Sequence, residues 1–142
     1  MKILLPVDGS ESATRAVEHV LKMTHQEAPP DIHLLHVRPP IESWEVRRFL
    51  TAEEIGAMQR HEGEEELRAC RHLLDASGIP YHFEVLAGDG QVAAAITHYA
   101  EAHDCDLIVM GTHGRTGLTH LLMGSVTTDV IHGTKVPVTL VK

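Results

Sequence analysis

Residues 3–10, Ile3-Leu4-Leu5-Pro6-Val7-Asp8-Gly9-Ser10, decide the architecture of this chain. Five consecutive apolar residues leave no polar face, the pattern of a strand buried on both sides in a parallel sheet. Ser10 then offers an N-cap, and Ala13, Ala16, Val17, Val20 and Leu21 recur as one helical stripe. A buried strand feeding an amphipathic helix is the first half of a βαβ unit, and the same pattern continues along the chain.

Pro29-Pro30-Asp31 stops the first helix, Ile32 to Val37 reads as the second strand, and Pro39-Pro40 ends it. Residues 41–50 are the least regular stretch and carry Trp44 and Phe49, as a cover over a site or as packing on the sheet edge. Thr51-Ala52-Glu53-Glu54 is a capping-box pattern opening a helix that runs to about Ala76, with Glu62 to Glu66 expected on a solvated face. Ser77-Gly78-Ile79-Pro80 supplies a glycine stop. Strand Tyr81 to Leu86 follows, then helix Gln91 to His103 with the stripe Val92, Ala95, Ile96, Tyr99, then strand Leu107 to Met110. A glycine-bearing loop, a helix from about Ser125 to Ile131 and a strand Val136 to Val141 complete the order βαβαβαβαβ. Such alternation predicts an α/β, doubly wound parallel sheet of five strands with helices on both faces. Ligands of these sheets bind beyond the carboxyl ends of the strands, where the strand order reverses. That directs attention to Asp8-Gly9, Val37-Arg38, residues 87–90 and Gly111 onward.

Composition narrows the function. The 142 residues, 43 % of them hydrophobic, suit one domain over 1–142. A net charge of −8 and a pI near 5.8 argue against a general nucleic-acid binder, and Arg47-Arg48, the only basic dipeptide, is flanked by acids. No apolar run approaches the roughly 20 residues that span a bilayer, so no membrane insertion is expected. The amino-terminal residues read as a strand rather than a signal peptide. Cys70 and Cys105 stand in no metal or redox spacing, which suits a reducing compartment and predicts a cytoplasmic protein.

The loop with chemical potential is Gly111-Thr112-His113-Gly114, nine residues, then Gly124-Ser125. Glycines let backbone N–H groups approach an anion, and a helix start adds unpaired donors with a favourable dipole. Ser125 can cap that helix and offer its hydroxyl to a phosphate oxygen; Arg115 adds a cation within reach of one. The residues alone leave two readings open: a phosphate site, or glycines that merely turn the chain and a serine that merely caps.

The spacing Gly111-x2-Gly114-x9-Gly124-Ser125 resembles the nucleotide-binding motif of the universal stress protein family, in its ATP-binding branch. The opening Ile3 to Ser10, Leu35-His36-Val37, Asp106 to Gly111 and Val136-Pro137-Val138 resemble that family too. The resemblance implies strand order 3-2-1-4-5, with Asp8 and Gly111 on adjacent strands at the switch point. It further implies that Asp8 contacts the adenine or ribose edge and that main-chain groups of Val37 read the adenine. Gly111, Gly114, Gly124 and Ser125 would hold ribose and phosphates, any magnesium being carried by the phosphates. The function implied is an ATP- or other adenine-nucleotide-binding regulatory, stress-response module that acts on a protein partner. Two alternatives remain, a slow ATP hydrolase or phosphotransferase and a ligand-free structural dimer. A homodimer is expected in any case, because the final strand ends at a sheet edge with unpaired backbone groups, and the resemblance implies the same.

Other patterns carry less. Gly88-Asp89-Gly90-Gln91-Val92-Ala93 fits the dinucleotide fingerprint, but the ribose-binding acid due about 20 residues on would be Asp106, at the wrong end of its strand. A Walker A lysine is missing. Ser125, His113 and Asp8 make a nucleophilic triad only on paper, without G-x-S-x-G, so no catalytic residue is assigned. The twelve histidines include no i, i+4 pair; His98 and His103 fall about 140° apart round a helix, and His33 and His36 project from opposite strand faces. No dedicated metal site is expected.

Overall fold

The computed structural model describes residues 1–25, 27–87, 90–113 and 123–142. Its elements are β1 (Lys2–Pro6), α1 (Glu11–Met23), β2 (Asp31–Arg38), α2 (Trp44–Phe49), α3 (Ala52–Ser77), β3 (Tyr81–Ala87), α4 (Val92–Ala102), β4 (Leu107–Gly111), α5 (Ser125–Gly133) and β5 (Val138–Val141). All strand pairs are parallel, in the order β3-β2-β1-β4-β5. The doubly wound arrangement is therefore the one expected, with the reversal between β1 and β4.

Burial on both faces explains the unbroken apolar run of β1. Ile3, Leu5 and Val7 pack with Val17 and Val20 of α1 and Leu67 and Leu74 of α3. Leu4 faces the opposite way, into Leu35, Ile96, Ile108 and Val130 beneath α4 and α5. Together the two clusters fix the height at which the strand ends emerge.

The caps follow the sequence. Ser10 accepts from Ala13 N at 3.2 Å, and Gly78 takes a left-handed conformation with φ of 72°. At the start of α3, Thr51 Oγ1 accepts from Glu54 N at 3.1 Å while Glu54 Oε1 accepts from Thr51 N at 3.2 Å.

Four expectations need correction. The irregular stretch contains the helix α2, capped by Ser43, which buries none of its residues. Trp44 and Phe49 are 64 % and 76 % exposed, so they do not pack on the sheet edge. The acidic run is not uniformly solvated: Glu62 accepts from Arg38 Nη2 at 2.6 Å, and between the acids Gly63 is buried where a β-carbon would collide with Val85. The last strand begins at Val138, because Pro137 has no N–H; its carbonyl still accepts from Ile108 N at 2.9 Å.

Candidate functional site

At the carboxyl ends of β1 and β4 lies a cavity of about 290 Å³. Its walls are apolar, from Leu35 and Val37 on β2, Val92 and Ile96 on α4, and Met110 on β4. Its rim is polar: Asp8, Ser10, His113 and Ser125. Apolar walls accept a flat ring, while rim donors and acceptors orient a polar tail.

The chain turns sharply as it leaves β1. Asp8 Oδ1 accepts from Ser10 N at 3.0 Å, and Gly9 adopts φ of 82°, which spares the turn a strained side chain. One carboxylate oxygen of Asp8 is thus committed to the turn. Behind it, His36 is buried and its Nδ1 donates to the Val7 carbonyl at 2.6 Å. Burial pushes the His36 pKa below its usual range, with the nearby Arg38 guanidinium acting in the same direction. The neutral ring serves as a strut holding the last residue before Asp8. The next strand end is clipped as well: Arg38 Nε donates to Gln59 Oε1 at 2.9 Å, and Gln59 Nε2 donates to the Pro39 carbonyl at 3.2 Å. Val37 lies just before this clip, 6 % exposed, with its side chain against the cavity.

On the β4 side, Gly111 has a reason to be glycine that spacing alone did not reveal. A β-carbon there would lie 2.7 Å from the backbone carbon of Ser12 and collide with the Ser12 hydroxyl. Gly111 therefore lets α1 seat against β4. Its carbonyl accepts from Thr127 Oγ1 at 3.1 Å, which ties the strand end to α5. Just beyond, Gly124 N donates to the Thr112 carbonyl at 2.8 Å, closing a neck between the end of β4 and the start of α5. His113 is held at this neck, its N–H donating to Ser12 Oγ at 3.3 Å and its Nδ1 paired with Thr112 Oγ1 at 2.8 Å.

The helix cap is also reassigned. Gly124, not Ser125, occupies the N-cap of α5, and as glycine it has no side chain with which to cap this end. Ser125 is the first helical residue, exposed and on the cavity rim. The start of α1 is capped by its own Ser10, whereas among the described residues no side chain caps the start of α5.

Asp8, Val37, Gly111, Gly124 and Ser125 are thus brought together at one cavity. Gly114 and Arg115, and Gly88 and Asp89 of the second glycine motif, lie outside the described residues. Among the described lining residues there is no Lys or Arg, and Asp8 is the only carboxylate. His36 and Gln59 are the supporting residues that sequence reasoning missed. Their signal, a polar residue ending a buried strand and one interrupting a helical apolar stripe, becomes legible only once the partners are known.

The fold is a doubly wound α/β domain with a mixed apolar and polar cavity at its switch point, bordered by the start of α5, the place where domains of this architecture take small ligands. The model of the universal stress protein family matches residues 1–142. Universal stress protein MJ0531 of Methanocaldococcus jannaschii is 33 % identical over 149 residues, covering 99 % of this chain and 81 % of that protein. The solved structure of MJ0577, from the same organism, superposes with a TM-score of 0.83 at 33 % identity, over 99 % of this chain and 94 % of that one. A universal stress protein from Archaeoglobus fulgidus, solved in complex with dAMP, shares the fold with a TM-score of 0.71 at 22 % identity, over 100 % and 98 %. The chain belongs to the universal stress protein family. No helix among the described residues is long and apolar enough to cross a membrane.

Proposed function

We propose that this chain is an adenine-nucleotide-binding regulatory module, with ATP its foremost ligand. The observation that supports this is the cavity itself: walls of Leu35, Val37, Val92, Ile96 and Met110 suit a purine, while the start of α5 offers N–H groups to phosphates. The second Asp8 oxygen is the acceptor suited to a ribose hydroxyl or an adenine amine. Phosphate charge is met by the α5 donors and by Arg115, with any magnesium riding on the phosphates. The Archaeoglobus fulgidus protein of the same fold holds dAMP, so adenine nucleotides are the first compounds to try.

In this reading the site binds rather than turns over. Asp8, the only carboxylate among the described lining residues, has one oxygen tied to Ser10 N and is poorly placed to activate water. Occupancy then shifts a conformational or partner equilibrium by its differential affinity, the action of a stress-response module in the cytoplasm. The assembly proposed is a homodimer joined at β5, a half-buried edge strand with one row of backbone groups open.

Calorimetry with ATP, ADP and AMP on protein shown to be empty tests the reading. Ligand at a hundred times its dissociation constant should stabilise the fold by about 2.7 kcal/mol. Ser125→Ala should cost roughly 1–3 kcal/mol of binding if its hydroxyl meets a charged oxygen. Gly114→Val should fold yet bind no nucleotide. No heat at millimolar nucleotide would defeat the proposal, and ADP formed in molar excess over protein would favour a hydrolase. Light scattering at micromolar concentration tests the dimer, which a mass near 15.6 kDa would contradict.

A further inference from the structure

At the opposite end of the sheet from the nucleotide cavity, the amino ends of β2 and β3 bring together Asp31, His33 and His82. Asp31 and His33 are two apart on one strand and so share a face. His82 is the register partner of His33 on β3 and completes the set on that face. His33 Nε2 lies 3.5 Å from Asp31 Oδ2, and His82 Nε2 lies 3.6 Å from Asp31 Oδ1. One nitrogen or oxygen from each of the three falls within 4.8 Å of the others.

From this cluster we propose a binding site for a divalent transition cation, zinc being the best fit, held by Asp31, His33 and His82. Two imidazoles and a carboxylate are a donor set that such ions take, at about 2.0–2.2 Å per bond. Tetrahedral geometry then puts neighbouring donor atoms about 3.4 Å apart. The two contacts to Asp31 already stand near that spacing. The remaining approach falls to His82, whose side chain is 72 % exposed on an edge strand and can turn inward.

The deepest donor is already oriented. The His33 side chain is only 10 % exposed, and its Nδ1 lies 3.1 Å from the Tyr99 hydroxyl, which has Glu84 beside it. With the Nδ1 proton given to the Tyr99 oxygen, the Nε2 lone pair faces the space shared with Asp31 and His82. An outer partner that fixes the tautomer is the usual support of a metal-bound histidine. Tyr99 is itself held, its ring stacked on His103 at 3.8 Å between centroids. Three protein donors leave at least one position for water or an outside ligand, on the side where Asp31 and His82 meet solvent.

The test uses the full chain, freed of metal by chelator, titrated with Zn²⁺ and separately with Co²⁺. The expected result is one equivalent bound at micromolar protein, with a Co²⁺ visible absorption band of low-symmetry coordination. His82→Gln, on an exposed position that the fold does not need, should weaken binding at least ~10-fold and abolish the band; Asp31→Asn should do likewise. Tyr99→Phe keeps the ring and should weaken binding by roughly 10-fold while leaving the fold intact. Nucleotide calorimetry on His82→Gln should match the parent protein, which separates this site from the cavity at the other end. Uptake that is absent, or that is the same in the parent, His82→Gln and Asp31→Asn proteins, would overturn the proposal and leave an ordinary histidine–carboxylate pairing.

Discussion

Replacing Gly111 by alanine separates two explanations of the same glycine. Its backbone is not in the left-handed region, so the cost is one of space. The added carbon would stand 2.7 Å from the Ser12 backbone carbon and 2.8 Å from Ser12 Cβ, with Oγ nearer still. The hydroxyl can rotate away, but the other two atoms are fixed to the main chain of α1. The helix must therefore move off β4. Overpacking of this kind costs about 1–3 kcal/mol. For a chain of 142 residues that corresponds to a melting temperature lowered by roughly 3–10 °C. Adding Ser12→Gly removes two of the three clashing atoms and should recover part of the loss. Thermal melts followed by circular dichroism measure both effects. An unchanged melting temperature in Gly111→Ala, with nucleotide binding lost, would refute the packing account and return the glycine to the ligand.

Three further outcomes are expected. His36 is neutral in the fold and its pKa lies below 6.5, so the unfolded chain takes up the proton first; stability should hold above pH 6.5 and decline as the pH falls through it, levelling off below the folded pKa. The His36→Gln protein should lose that part of the slope, at most about 1.4 kcal/mol per pH unit, in denaturant titrations from pH 7.5 to 5. Burial pushes the Cys70 thiol up to about 11 and raises Cys105, so a thiol reagent at pH 7.5 should label neither cysteine until denaturant is added. Thr51→Ala removes the hydroxyl that accepts from Glu54 N, leaves the bond from Thr51 N to Glu54 Oε1, and should cost about 1 kcal/mol in the same denaturant titrations; no loss would mean that the start of α3 frays in solution.

The sheet was legible because parallel strands buried on two faces spell themselves as apolar runs, and the helices because Ser10, Thr51 with Glu54, and Gly78 are local signals that need no partner. What stayed hidden depends on partners distant in sequence. Nothing around Gly63 announces that Val85 will press against it, so the acids on either side read as uniform surface. α2 buries no stripe, and a periodicity search has nothing to find there. The cavity followed from topology and motif together, but the motif did not show that Gly111 also makes room for Ser12, or that Gly124 takes the cap that Ser125 was expected to fill. A search for histidines at helical spacing passes over His33 and His82, which stand 49 positions apart and meet only through strand register.

The hydrogen bond from Gly124 N to the Thr112 carbonyl carries a consequence for engineering. It pins the start of α5 to Thr112, one residue past β4, so a change at either position is felt at the other. Redesign of the cavity rim should therefore leave both positions alone and begin at Ser125, which is exposed.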